Sequence, residues 1–404
     1  MSKINELIKE LCPNGVERIA LGSIGNFESI GTDKKIVDGE KSVTLLNYVD
    51  VYHHKYINRN IPQMKVTASD SKCMSCTVEK GDIFVTPSSE TVDDIGHSSV
   101  VIETIPNAVY SYHIMRFRLN KKNYTTSFYI NYYFDSIDVK SQILKKAQGL
   151  TRYGLSKDKF ASIEIPLPPL PIQQEIVNIL DKFSSLIDNL DETIQLRQKQ
   201  YEYYREKLLT FKDGECEWKK LGDCCIKCSS GSTPNKSNKE FYDGGSIPWL
   251  RTQNVKFNEI WEVDSYITEE AVNKTPAKWI PENCVIVAIS GATAGRCAIN
   301  KIPLTTNQHC LNMQINSGVA DYKYVFTCVQ HQYDELISLK QGARGDLNAS
   351  SIKGLEIPVP PLSRQQEIVA TLDKFEAMIS NLKQERELRQ KQYEYYREKL
   401  LTFE

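Results

Sequence analysis

IPLPPLPIQQEIVNILDKF begins at Ile165, and IPVPPLSRQQEIVATLDKF begins at Ile357. Each runs on into LRQKQYEYYREKLLTF, unchanged between 196–211 and 388–403. Across 165–211 and 357–403, about 33 of 47 positions are identical at a constant offset of about 192. Both copies open on a proline hinge. Proline favours extended geometry and stops a preceding helix, so the hinge fixes where a long helix begins. In the second copy Ser363 and Gln366 have the S-x-x-Q spacing of a capping box; Pro171 replaces that serine in the first.

Beyond each hinge the apolar residues alternate at spacings of four and three, which gathers them on one seam of a helix. The first seam is Ile176, Leu180, Phe183, Ile187, Leu190, Ile194, Tyr201, Tyr204 and Leu208, interrupted at Arg197. The second is Ile368, Leu372, Phe375, Ile379, Leu382, Tyr393, Tyr396 and Leu400, with breaks at Arg386 and Arg389. Roughly 37 residues make a rod of roughly 55 Å. A rod of that length cannot bury its seam inside one small domain. Two such rods packed antiparallel on each other satisfy both seams; the competing arrangement lays each rod on its own domain.

The rest of the chain divides around the rods. The sequence suggests four segments: 1–164, 165–211, 212–356 and 357–404. The two globular segments read as mixed α/β, so the fold class is α+β with a tandem, pseudo-twofold repeat. Strands are expected over 42–51, 81–86 and 108–119 in the first, and over 247–255, 284–290, 296–300 and 310–315 in the second. Helices are expected over 127–147 and 322–340, each ending at a Gln-Gly pair. Leu21-Gly22 matches Leu221-Gly222, and His113 falls where His309 falls. The rods are nearly the same and the globular segments have diverged, which suggests constant spacers and variable readers.

Composition excludes several classes. Formal charge is −1, with 41% hydrophobic residues. The rods carry about −3 between them, leaving the rest near +2, a slight support for a basic face outside them. The opening MSKINELIKEL is too charged for a signal peptide and no run reaches membrane length, so a cytoplasmic protein is expected. The 11 cysteines read as reduced thiols. Cys73/Cys76 and Cys225/Cys228 are CxxC pairs in different halves, and no metal site is expected from them. The His53-His54 pair, on an expected strand, points to opposite faces and suits no bidentate metal site. No nucleotide-binding, Rossmann or HExxH motif is present, and no catalytic residue is assigned.

What remains is loop chemistry. The first globular segment offers Thr86, Ser88, Ser89, Gln148, Thr151, Arg152 and Tyr153. The second offers Arg251, Gln253, Asn254, Asn307, Gln308, His309, Gln341, Arg344 and Asp346. Arg pairs with guanine edges, and Asn or Gln with adenine edges, through bidentate bonds. Taken singly, each is also what a solvated loop carries.

The tandem of variable unit and repeated long helix resembles the specificity subunit of type I restriction–modification systems. The resemblance rests on the two hinge motifs and the LRQKQYEYYREKLL block. GSTPNKSNKEFYDGGSIPWLRTQNV from Gly231, SGATAGRCAI from Ser290 and TTNQH from Thr305 are also similar to the family. It covers essentially the whole chain; Pro87-Ser-Ser-Glu90 departs from the Ser-Gly turn usual there. It implies two target-recognition domains, each reading one half of a split site on double-stranded DNA. The family's two long conserved helices form an antiparallel coiled coil between them. It also implies two modification subunits carrying S-adenosylmethionine for adenine N6 methylation, and restriction subunits using ATP and Mg. No cofactor is then expected in this chain. The alternatives are a coiled-coil scaffold without DNA specificity and a single-chain methyltransferase or nuclease.

Overall fold

Both hinges are short strands, Glu164–Pro166 and Glu356–Val359, paired antiparallel with Arg18–Ala20 and Glu217–Lys220. The computed structural model describes residues 2–120, 123–212, 214–340 and 346–403. A helix of 40 residues follows each hinge, Leu170–Leu209 and Leu362–Leu401. The carbonyl of Pro169 accepts from the amides of Ile172 and Gln173 at 2.9 and 3.2 Å. Pro361 repeats this with Arg364 and Gln365 at 2.8 and 3.1 Å. The prolines therefore start the helices. Ser363 lies inside the second helix, so the expected capping box with Gln366 is not formed: the N-terminal position it requires is already past.

The chain folds as two compact units, Met1–Asp191 with Glu385–Glu404, and Glu192–Gln384. The boundary cuts both long helices in half, whereas the sequence suggests limits at the hinges. Within the first unit Phe183 stacks on Tyr396 with ring centres 5.5 Å apart. Arg386 binds Asp191 there through Nε at 3.1 Å and Nη2 at 3.2 Å. Ile176 and Leu180 share a core with Leu400. Position rises along one helix as it falls along the other, so the segments run antiparallel. Within the second unit Tyr204 stacks on Phe375 at 5.3 Å and Tyr201 donates to Glu376 at 2.7 Å, again antiparallel. Every expected seam residue is buried or half-buried, including Ile187, Leu190, Leu208, Ile368, Leu372, Ile379, Leu382 and Tyr393. The ion pair to Asp191 accounts for the break at Arg386.

Each unit holds a five-stranded and a three-stranded sheet, with one topology in both. The first five-stranded sheet runs Gly25–Glu28, Met115–Leu119, Ile83–Val85, Ser98–Val101, Tyr56–Ile57. The second runs Cys225–Ser230, Cys310–Ile315, Val285–Ala288, Cys297–Asn300, Asn258–Ile260. In the smaller sheets Lys41–Leu46 lies between Met64–Ala68 and Ala108–Tyr110, and Ile247–Leu250 lies between Tyr266–Ile267 and Thr305–Thr306. In both, the central strand is antiparallel to the first neighbour and parallel to the second. The buried faces are rich in Val and Ile, with Phe27, Phe84 and Phe117 added in the first unit, residues that suit a pleated sheet.

The elements differ from expectation where local polar groups intervene. The strand expected over 42–51 stops at Leu46, because Asn47 and Asp50 form a capping box that starts the helix Tyr48–His53. His53 therefore ends a helix and His54 caps it, so the two are not on a strand. The strand expected over 247–255 stops at Leu250 and turns through Thr252–Asn254. The stretch 108–119 is two strands, Ala108–Tyr110 and Met115–Leu119. The helix expected over 127–147 is two, Ser127–Tyr133 and Ile137–Lys146, the second capped by Ser136. That over 322–340 is likewise Tyr322–His331 and Tyr333–Ser338.

The hinges dock in the same way twice, each on the start of a helix, Ser127–Tyr133 in one unit and Tyr322–His331 in the other. Tyr129 donates to the carbonyl of Pro166 at 3.0 Å, and Tyr324 to that of Pro358 at 3.0 Å. Gln173 is fully buried and accepts from Thr125 Oγ1 at 2.9 Å and from the Thr126 amide at 3.2 Å. Its amide nitrogen donates to the carbonyls of Tyr124 and Pro168 at 2.9 and 2.7 Å. Gln365, also fully buried, binds the Asp321 amide and the carbonyls of Val319 and Pro360 at 2.8, 3.3 and 2.8 Å.

Candidate nucleic-acid interface

In the second unit two parallel strands, Ile247–Leu250 and Thr305–Thr306, end side by side, and this brings the loop residues together. The first runs out into Arg251 and the Thr252–Asn254 turn. The second runs out into Asn307, whose amide donates to the Leu250 carbonyl at 2.9 Å. The Gly291–Thr293 turn joins them through Thr293 Oγ1, which donates to the Thr252 carbonyl at 2.9 Å. Gly231 crosses so close that a Cβ there would lie 1.9 Å from the Thr306 carbonyl oxygen. Beside it Thr233 donates to Gln308, which is exposed and touches His309 at 3.1 Å. Asn307 is mostly buried, and its Oδ1 accepts from the His309 amide at 3.2 Å. Arg251, Gln253, Asn254, Asn307, Gln308 and His309 thus share one strand-end surface. Asp346 is half-buried beside Leu347, whose amide donates to the Ile289 carbonyl at 2.8 Å. Gln341 and Arg344 lie outside the described residues.

One member of this surface is not among the sequence candidates. Asp264 receives Arg251 Nη2 at 3.3 Å, Gln253 at 3.2 Å and Asn254 at 3.4 Å. The Ser265 hydroxyl donates to it at 2.9 Å, and these bonds hold its carboxyl below the usual range. A single acidic residue ten or more positions away carries no motif, so nothing in the sequence marks it.

The first unit repeats the construction. The Ser111 amide donates to the Leu46 carbonyl at 2.8 Å, as Asn307 does to Leu250. The Thr32 amide donates to the Tyr110 carbonyl at 2.8 Å, as Ser232 does to Thr306 at 2.9 Å. Gly31 has the same close crossing as Gly231, with a Cβ site 2.1 Å from the Tyr112 amide. By strand register Tyr112 stands where Gln308 stands and His113 where His309 stands. Tyr112 is 48% exposed, and its ring lies 4.0 Å from that of His113. The match of His113 with His309 is the signal in the sequence that leads to Tyr112.

The other candidates of the first unit form a second cluster. Ser88–Ser89 pairs antiparallel with Tyr153–Gly154, and Gln148 exchanges backbone bonds with Gly154 at 3.0 and 2.8 Å. Gly149 has φ +146°, and a Cβ there would meet the Arg152 carbonyl at 1.9 Å, so only glycine fits this tight hairpin. Gln148, Thr151 and Arg152 are exposed, and Tyr153 is half-buried. Arg152 reaches Ser88 Oγ at 3.3 Å, and Ser89 Oγ accepts from the Thr91 amide. Thr86 does not belong here. It is fully buried and its hydroxyl donates to the Asp94 carbonyl at 3.0 Å, which removes it from any contact surface.

Among the described residues no three His, Cys, Asp or Glu side chains converge as a metal site requires. No described helix is long and apolar enough to cross a membrane.

The type I restriction modification DNA specificity domain matches this chain twice, over residues 13–197 and 214–390. The Escherichia coli EcoR124I/EcoR124II specificity subunit is 35% identical over 268 residues, covering 64% of this chain and 66% of that relative. The chain thus spans just under two thirds of that relative's length. The MjaIX specificity subunit of Methanocaldococcus jannaschii is 33% identical over 168 residues, 40% of this chain and 38% of its own. Among solved structures, the type I S subunit from M. genitalium aligns with a TM-score of 0.57 at 13% identity, covering 96% of this chain and 97% of that one. The HsdS subunit from Thermoanaerobacter tengcongensis aligns at 0.50 and 16% identity, covering 96% of each. These two show a shared fold: mixed α/β domains with two long helices. The chain belongs to the type I restriction modification DNA specificity family, with two copies of the family's domain.

Proposed function

We propose that this chain is the non-catalytic specificity subunit of a type I restriction–modification complex, each domain reading one half of an asymmetric, bipartite DNA site. One observation carries it: the same strand-end construction occurs twice with different side chains at its tip. Arg251, Gln253, Asn254 and Gln308 stand in one domain where Asn47, Val49, Asp50 and Tyr112 stand in the other, and the first domain adds the separate Arg152 hairpin. Two readers of one build with different tips address two different half-sites. The recognition domains are taken as 1–164 and 212–356, with hinge and helix over 165–211 and 357–404.

The partners in this reading are two modification subunits, with restriction subunits in the full complex. Adenine methylation with S-adenosylmethionine, and ATP- and Mg-dependent cleavage, belong to those partners. A scaffold without DNA specificity gives no reason for a twofold repeat of one sheet topology with divergent tips. A single-chain methyltransferase or nuclease would need catalytic motifs that the sequence lacks.

The test is to map methylated adenines in cells whose only type I system contains this chain. The expected result is one motif of two unlike halves separated by unread bases. A continuous palindrome would overturn the two-reader proposal, and absence of motif-specific methylation by an assembled complex would favour the scaffold.

A further inference from the structure

Resting on that reading, we infer that Asp264 is a positioning residue for recognition of the second half-site, fixing Arg251, Gln253 and Asn254 as one fan at the domain tip. Two carboxylate oxygens collect all three side chains: Oδ1 takes Arg251 at 3.3 Å, and Oδ2 takes Gln253 and Asn254 at 3.2 and 3.4 Å. Arg, Gln and Asn are the side chains suited to bidentate bonds with purine edges. An acidic group among them lowers attraction for phosphate, so its presence costs general affinity for DNA. Order is the compensating gain, because long side chains lose rotamer freedom when they bind.

Two further observations separate this from a purely structural cluster. Such a cluster satisfies its own buried polar atoms. Among the described residues Arg251 Nε and Asn254 Oδ1 have no hydrogen-bond partner. By strand register Asp264 stands where the first domain has Gln63, so the carboxylate is particular to the second reader rather than part of the shared build. Gln63 there donates to the nearby Asn60 carbonyl, at 3.3 Å.

The experiment uses the complex with its modification subunits, carrying Asp264→Ala or Asp264→Asn. It measures binding to random duplex against salt, binding to the mapped site, and the methylated motif. Asp264→Ala should bind random duplex more tightly, with a salt slope steeper by about 0.9, one added phosphate contact. Its preference at the second half-site should fall by roughly 5- to 150-fold, the range of one bidentate pair. The first half-site should be unchanged. Asp264→Asn keeps one acceptor oxygen and should be intermediate; it decides the matter if Asp264→Ala does not fold. Unchanged motif and salt slope overturn the inference. Equal loss at both half-sites, or weaker binding to random duplex, shows a role in folding only and also overturns it. If the unaltered complex has no two-part motif, the functional reading itself fails, which is a separate result.

Discussion

Gln173 is a fully buried amide, and all four of its hydrogen bonds are made inside the protein. Gln174, next in the chain, is exposed and donates to Asn178 at 3.0 Å. Gln173→Ala should therefore cost at least about 2 kcal/mol in denaturant unfolding, and Gln174→Ala less than about 0.5 kcal/mol. Equal effects would show that the hinge is not held by this amide. His97 makes a pH prediction. Burial holds its pKa below the ordinary 6.5, against the pull of the Asp135 and Asp94 carboxylates. The folded state thus favours the neutral ring, and the unfolded chain binds more protons in the interval. Its contribution is complete above about pH 6.5 and is lost as pH falls through the folded value. His331 shifts the same way for the same reason. Asp94 and Asp138, held low, act in the same direction only below their ordinary 3.8. The unfolding midpoint should drop between about pH 7 and about pH 5, and His97→Gln should flatten that drop. An identical slope in the variant would exclude His97.

At the scale of elements, the long helices present the same outward feature twice. Tyr203 is 60% exposed and Tyr395 59%. Each stands edge-on to the next tyrosine, at 5.4 and 5.3 Å, and each lies under a lysine, Lys207 at 5.9 Å and Lys399 at 5.7 Å. Tyr204 and Tyr396 turn inward to stack on phenylalanine, so the outward pair is not needed by the seam. Exposed tyrosines repeated this way suit two copies of one partner. Replacing Tyr203 and Tyr395 with Ala should weaken co-purification of the modification subunits and leave the helix signal in circular dichroism unchanged. Undiminished assembly would assign these residues to the surface alone. The helices were legible in the sequence because their signal is long and periodic: a repeated block, proline starts and a four-three seam. The shorter elements were legible in kind but not in extent. Asn47 and Ser136 start helices inside stretches of strand or continuous-helix composition, and capping is a matter of one side chain. The candidate sites divide similarly. Arg251 to Asn254 and Asn307 to His309 stood out as polar groups beside β-rich runs, but the strand expected over 247–255 ran through the first set, so their place at a strand end was not legible. Nor was the burial of Thr86, because a polar residue after a strand looks alike whether it is exposed or folded back onto Asp94. Asp264 needed the pairing of Ile247–Leu250 with Tyr266–Ile267, and Tyr112 was within reach only through the match of His113 with His309.

For the whole molecule, the repeat argues for a DNA site of fixed form. Two identical readers related by a twofold would read a palindrome. Here the tips differ, so the halves should differ, and the unread gap becomes a property of whatever holds the readers. We assign that role to the two long helices, each 40 residues. One duplex turn is about 34 Å, which with helices of this length suggests a gap of roughly 5–8 base pairs. Because the seam repeats every seven residues, one extra heptad in both helices keeps its register. Each helix would lengthen by about 10 Å. The expected outcome is a methylated motif with both halves unchanged and a gap wider by about three base pairs, the rise equivalent to that length. An insertion in one helix only should mismatch the Phe183–Tyr396 and Tyr204–Phe375 stacks and reduce assembly. If the doubly lengthened chain assembles and methylates at the original spacing, the helices do not set the gap, and the connection between reader and hinge becomes the place to look for it.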